Sequence, residues 1–318
     1  MTTLAEVKAG GKAALARALA AAESRADAPD TAALLDEAWG KASGHAVGLT
    51  GPPGVGKSTL IDALIRRLRA EKRSVAVLAV DPSSRRTGGA LLGDRTRFGT
   101  DPADQGVFVR SMAARDRLGG VAATTWPALV LTRALFDVTI VETVGVGQSE
   151  TEIADIADTV VFCVQPGSGD SLQFMKAGVM EIPDIAIVTK ADMEDAARRA
   201  LNDLRGALSL AAPRPEAVET LAISATTGAG VEALVELLAA RLARLSASGR
   251  LAEARRAQAR AWTRRALAED FGREGLRRVA PLLEREWRGE APFACAAAVK
   301  SRLTQALDAG LAQLDTTL

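Results

Sequence analysis

The sequence predicts an α/β fold: a doubly wound, mostly parallel sheet with helical segments at both ends. Three observations predict it. Short, nearly continuous β-branched runs alternate with amphipathic stretches between residues 45 and 245, the pattern of parallel strands covered on both faces. A glycine-rich turn stands directly between the first such run and a helical stretch. The two flanks carry helical periodicity and no strand-like run.

Residues 1–44 read as a helical extension, with Leu4, Val7, Ala13, Leu15 and Leu19 on one face. A second helix there starts from an Asp30 or Thr31 cap and runs to Trp39. Within the central domain, 45–245, strands are expected at 46–50, 75–80, 107–109, 138–142, 160–164, 185–189 and 221–224. Residues 246–318 form a third, helical region. Leu251, Trp262, Leu267, Phe271, Leu276, Val279, Leu282 and Leu283 suit amphipathic helices there. After Pro292 a stripe of Val299, Leu303, Leu307, Leu311 and Leu314 is either a local core or a subunit interface.

The apolar fraction of 48% fills a core for a chain of this length, and a formal net charge of +1 gives no field that draws nucleic acid or an anionic membrane. Cys163 and Cys295 lie far apart, and Cys163 falls inside an apolar run, which reads as a buried thiol in a reducing compartment. No apolar run approaches the ~20 residues that span a bilayer. The start lacks a basic segment followed by an apolar core, so no secretory signal is expected; the Ala-rich residues 1–22 carry few basic residues, which leaves a transit peptide as the alternative to the expected cytoplasmic location. His45 is the single histidine, which argues against metal sites built on imidazole.

The turn Gly51-Pro52-Pro53-Gly54-Val55-Gly56-Lys57-Ser58 has the spacing of a phosphate-binding P-loop, in the strand–turn–helix setting such a loop requires. Backbone N–H groups must wrap around phosphate oxygens, and glycines allow that close approach. Lys57 places an ammonium against the β- and γ-phosphates, Ser58 offers a hydroxyl to Mg²⁺, and Thr59 contacts the α-phosphate or caps the helix. Phosphoryl transfer also needs carboxylates near the metal. Asp81 ends the second strand, Asp94 follows a glycine-rich stretch and either swings toward Mg²⁺ or caps a helix, and Glu142 ends the strand before Gly145. An acid at a strand end, followed by a glycine whose N–H can bond the γ-phosphate, is the logic of a switch that senses the third phosphate. Lys57, Asp94 and Glu142 are therefore the candidate catalytic residues. Gln148 either positions the attacking water or opens the next helix. Arg85, Arg86, Arg95, Arg97, Arg110 and Arg115 are candidates for an internal arginine finger or belong to solvated faces.

Thr189-Lys190-Ala191-Asp192 occupies the slot where GTPases carry Asn-Lys-x-Asp. A carboxylate at Asp192 accepts two hydrogen bonds from guanine N1–H and the exocyclic amine, a pair adenine does not offer. The Lys190 stem covers one purine face. Thr189 forgoes the amide that ties this loop to the P-loop. Ser224-Ala225 fits the remaining guanine loop, with the Ala225 N–H toward O6.

These strings together resemble the MeaB/ArgK/MMAA family, P-loop GTPases accessory to adenosylcobalamin-dependent acyl-CoA mutases. The matching segments are 51–59, 80–84, 87–94, 141–150 and 167–176, within a resemblance covering about 45–235. The resemblance implies a Mg²⁺ set of Ser58, Asp81, Asp94 and Glu142, bound GTP or GDP, and a partner-responsive loop with polar residues Asp170, Gln173 and Lys176. It also implies a mutase partner, with an adenosyltransferase as a second one, and a homodimer made through the C-terminal helices. Adenosylcobalamin is expected in the partner, because this chain has no Asp-x-His-x-x-Gly pattern. Thr189 and the bulky Phe174-Met175 depart from the family pattern. The same P-loop class also contains nickel-delivery GTPases, which need His and Cys ligands that are scarce here. An older reading of the family is a kinase of a periplasmic transport system, and a nucleotide-dependent clamp with negligible turnover is a non-enzymatic alternative.

Overall fold

A computed structural model describes residues 2–82, 98–99, 101–114, 120–143, 152–167, 182–210 and 216–315. The N-terminal extension is three helices, α1 Leu4–Ala9, α2 Gly11–Arg25 and α3 Pro29–Lys41. The single first helix expected from the pattern is thus two. Gly11 sits at φ 61°, a left-handed backbone that an α-helix does not pass through. A capping box of Thr3 and Glu6 opens α1. The third helix begins at Pro29 rather than from an Asp30 or Thr31 cap, because proline lacks the N–H that a first helical residue would leave unpaired.

All seven expected strands are present: β1 His45–Thr50, β2 Val75–Pro82, β3 Val107–Ala114, β4 Val138–Thr143, β5 Thr159–Val164, β6 Ile185–Val188 and β7 Glu219–Ala222. They form one sheet in the order β3-β2-β4-β1-β5-β6-β7, and every pairing is parallel. The last strand lies two residues earlier than the pattern suggested, because the Ser224 hydroxyl accepts the Thr227 N–H and closes a turn. Helices α4 Lys57–Ala70, α5 Gly120–Leu135 and α6 Glu194–Ser209 connect strands, and α7 Val231–Ala247 follows β7. They are followed by α8 Arg250–Glu286 and α9 Pro292–Asp315. Gly272 breaks α8 at φ 69°, ψ 179°, a conformation open essentially to glycine alone.

Alternate strand residues face opposite sides of the sheet, as period-2 geometry requires, and Phe162, Val164, Ala186 and Val188 pack with Ala197 and Leu204 of α6 in a smaller cluster. Val47, Leu49, Val75, Val77 and Ile140 face α4 and α7. Ala46, Leu78, Val80, Val141 and Val160 face the other way. On that second face, helices from both ends of the chain close over α5. Trp126 of α5 stacks on Trp262 of α8 and on Phe293 of α9, with centroids 5.0 and 5.1 Å apart, and Trp39 of α3 lies 5.6 Å from it. Asp36 of α3 accepts the Phe293 and Ala294 N–H groups at the start of α9. The expected C-terminal stripe divides. Val299 and Leu303 pack on Leu267, Val279 and Leu283, whereas Leu307 is 53% exposed. The side chains of Leu311 and Leu314 lie outside the described residues.

At the amino ends of the strands a buried ion pair joins α8 to the sheet. Asp158 receives Arg255 Nε at 2.9 Å and Nη2 at 2.7 Å, and the Ala46 N–H at 2.8 Å. Arg255 also donates to the carbonyls of Ala42 and Gly44, both at 2.7 Å. Arg133 reaches the same carboxylate at 3.5 Å. Beside them His45 Nε2 lies 2.9 Å from Thr159 Oγ1. Burial pushes the imidazole down to about 4, against the pull of Asp158 in the opposite direction. The unfolded chain therefore holds a proton between pH 6.5 and 4 that the folded chain refuses, and stability falls as pH drops through that window. Between pH 7 and pH 5 the protein should lose about 2 kcal/mol more than His45→Gln. Equal pH slopes in chemical denaturation would contradict this.

Candidate active site

The candidate residues that the structure describes gather at the carboxyl edge of the sheet, where open α/β folds bind ligands. The strand order places β4 and β5 on either side of β1, so the P-loop that leaves β1 is flanked by the ends of both. Gly51 takes φ 138° and packs against β5 so closely that a Cβ would lie 2.3 Å from the Cys163 carbonyl oxygen. Gly54 and Gly56 take φ 75° and 96°, which carries the chain through the turn without steric cost. Helix α4 then starts at Lys57 with no side-chain cap on its first N–H groups. That end presents donors and a positive dipole, the elements of an anion site.

Lys57 is buried, and its Nζ donates to the carbonyls of Gly51 at 2.6 Å and Pro52 at 3.0 Å. One turn of the loop thus aims the ammonium along its own inner face. Ser58 donates to Glu142 Oε1 at 3.1 Å, which brings two of the four predicted metal ligands together. The register explains the meeting, because Glu142 lies opposite Leu49 in β1 and Ala79 in β2. Asp81 is two residues past Ala79 on the same strand, and only its backbone is described. A hydroxyl and a carboxylate are hard oxygen donors of the type Mg²⁺ prefers. Behind them Thr143 donates to Thr50 at 3.0 Å, a buried link between the ends of β4 and β1 that sequence reasoning did not single out. Asp94, Gly145, Gln148, Asp170, Gln173 and Lys176 lie outside the described residues.

The second half of the site is made by the loops after β6 and β7. Thr189 corrects one expectation. Its Oγ1 lies 2.6 Å from the Val55 carbonyl in the P-loop and 3.0 Å from that of Val164. The hydroxyl has one proton to give, and it supplies the tie to the P-loop that asparagine was expected to provide alone. Lys190 donates to Gly54 O at 3.3 Å and to Gln165 Oε1 at 2.5 Å. Asp192 is exposed, and its Oδ1 accepts the Ser224 hydroxyl at 2.6 Å. That bond holds the carboxyl below its usual value, so it is an ionised acceptor at neutral pH. The Ala191 N–H donates to Ile223 O at 3.1 Å, joining the two base loops, with half-buried Ala225 beside them. Burial pushes the Cys163 thiol up to about 12, so it is inert, as its apolar run predicted.

A family model described as "Methylmalonyl Co-A mutase-associated GTPase MeaB" matches residues 15–276 of this chain. The chain belongs to the MeaB family. Among the relatives of this MeaB-family GTPase, a Pyrococcus horikoshii protein named as a GTPase is 49% identical over 220 residues, covering 67% of this chain and 68% of that one. The mouse protein named methylmalonic aciduria type A homolog, mitochondrial, is 37% identical over 257 residues, covering 78% of this chain and 62% of the mouse protein. Among solved structures, one described as an LAO/AO transport system kinase superposes with a TM-score of 0.66 at 27% identity, covering 96% of each chain. The MeaB-family assignment agrees with the P-loop and the parallel sheet around it.

Proposed function

We propose that this GTPase binds an adenosylcobalamin-dependent acyl-CoA mutase of the methylmalonyl-CoA mutase type. It hydrolyses GTP with Mg²⁺ to gate cofactor loading and to protect or reactivate the mutase. The match to a family described by its mutase association carries the partner. Asp192, an acceptor held by Ser224, supports guanine as the base. Ser58, Asp81, Asp94 and Glu142 would hold Mg²⁺, which when bound draws charge from the β- and γ-phosphate oxygens. Lys57 and the α4 N-terminus would offset the remaining negative charge. Asp170, Gln173 and Lys176 would respond to the partner, and Gly145 to the γ-phosphate. The exposed Leu307 end of α9 would contribute to a homodimer.

The nickel-delivery alternative has little to build on. His45 and Cys163 are buried, and no group of three His, Cys, Asp or Glu poised for a metal occurs among the described residues. No helix among the described residues is long and apolar enough to cross a membrane. The test is GTP turnover with and without purified cobalamin-dependent mutases. The expected result is stimulation by one of them, read as phosphate release. Unchanged turnover with every acyl-CoA mutase would remove the partner assignment. Transfer of labelled phosphate to a protein would favour the transport-kinase reading instead.

A further inference from the structure

Lys190 adopts φ 54° and ψ 43°, a left-handed backbone disfavoured for a residue with a side chain. Its side chain runs back across the P-loop, donating to the Gly54 carbonyl at 3.3 Å and, more closely, to Gln165 Oε1 at 2.5 Å. Gln165 is the first residue beyond β5, half-buried between the buried Val164 and Pro166. The end of β5 beneath it is fixed from two sides. The Cys163 carbonyl oxygen abuts Gly51, and the Val164 carbonyl accepts the Thr189 N–H at 2.8 Å and faces Thr189 Oγ1 at 3.0 Å. The Gln165 amide oxygen therefore issues from the point where P-loop, base loop and sheet converge.

An ammonium on a four-carbon stem loses considerable rotamer freedom when held in place. A tether that orders it beforehand moves that cost out of the binding step. A neutral amide does so without placing a negative charge beside a polyphosphate.

We propose that Gln165 is a positioning residue of the purine site: it anchors the Lys190 ammonium so that the lysine stem lies along one face of the bound base. The inference rests on the guanine-site reading above. It places the effect in nucleotide affinity and not in the chemical step.

The test is Gln165→Met, which keeps length and removes the acceptor, measured in the full chain alone and with Lys190→Ala. Titration with fluorescent GDP should show Kd raised about fivefold in Gln165→Met, with KM for GTP rising in parallel and kcat within about twofold. In the Lys190→Ala background the same change should alter Kd by less than about twofold. Wild-type affinity in Gln165→Met, or an equal loss with and without Lys190, overturns the positioning role. The guanine reading is tested separately by GDP against ADP in the wild type and in Asp192→Asn. Absence of a GDP preference sinks that reading, while the Gln165–Lys190 coupling is still measured on whichever nucleotide binds.

Discussion

Lys57→Ala is expected to lower kcat/KM for GTP hydrolysis by roughly a thousandfold, about 4 kcal/mol of transition-state stabilisation. Lys57 is only 6% exposed, so little water screens its charge. It is already aligned on two P-loop carbonyls, so little reorganisation is needed during reaction. Lys57→Arg should not rescue, because the planar fork is bulkier than the point charge this turn encloses. Phosphate release, with thermal denaturation as the check on folding, decides it. Turnover within tenfold of the wild type would mean that the P-loop lysine is not the main electrostatic element.

Arg255→Met should carry the largest stability cost, about 4 kcal/mol. The change leaves the Asp158 carboxylate, whose side chain is 0% exposed, with Arg133 at 3.5 Å as its remaining basic neighbour. It also removes the donors to the Ala42 and Gly44 carbonyls. Burial pushes the Asp158 carboxyl up, but the bond and charge of Arg255, the charge of Arg133 and the Ala46 N–H together hold it below its usual value. The sign follows from that depression. The stabilisation is complete above the unfolded carboxylate value of about 4 and is lost as pH falls through the lower folded value. The gap between wild type and variant should therefore close in strong acid. Asp158→Asn combined with Arg255→Met should cost less than the two single losses added together. Urea denaturation supplies all three values, and a loss under about 1 kcal/mol for Arg255→Met would show that the pair is dispensable.

The parts of this fold that were legible in the sequence share a physical reason. Parallel strands are buried on both faces, so β1, β4, β5 and β6 had to be written as nearly continuous apolar runs. The P-loop and the Asp192 slot were legible because each is a short string whose spacing is dictated by a phosphate or a base. What escaped was set by long-range packing. Asp158 and Arg255 lie 97 residues apart, and an acid at the amino end of a strand carries no ligand signal. Attention to buried charges at both strand ends could have flagged it. Gln165 likewise looked like any polar residue closing a strand. Thr189 was legible as a departure, but only the 2.6 Å contact to Val55 reveals that a hydroxyl reaches where an amide was expected. The helical ends read as separate flanks, because no periodicity discloses that α3, α5, α8 and α9 share one apolar centre.

That shared centre governs the protein's intrinsic light emission. The chain has four tryptophans and no tyrosine, and all four indoles either belong to the aromatic core beneath the terminal helices or pack against it. None stands in the P-loop or the loops after β6 and β7. Ultraviolet fluorescence is therefore blind to a nucleotide that merely docks, and a spectral change on adding GTP would report that the helices from the two ends of the chain had shifted on α5.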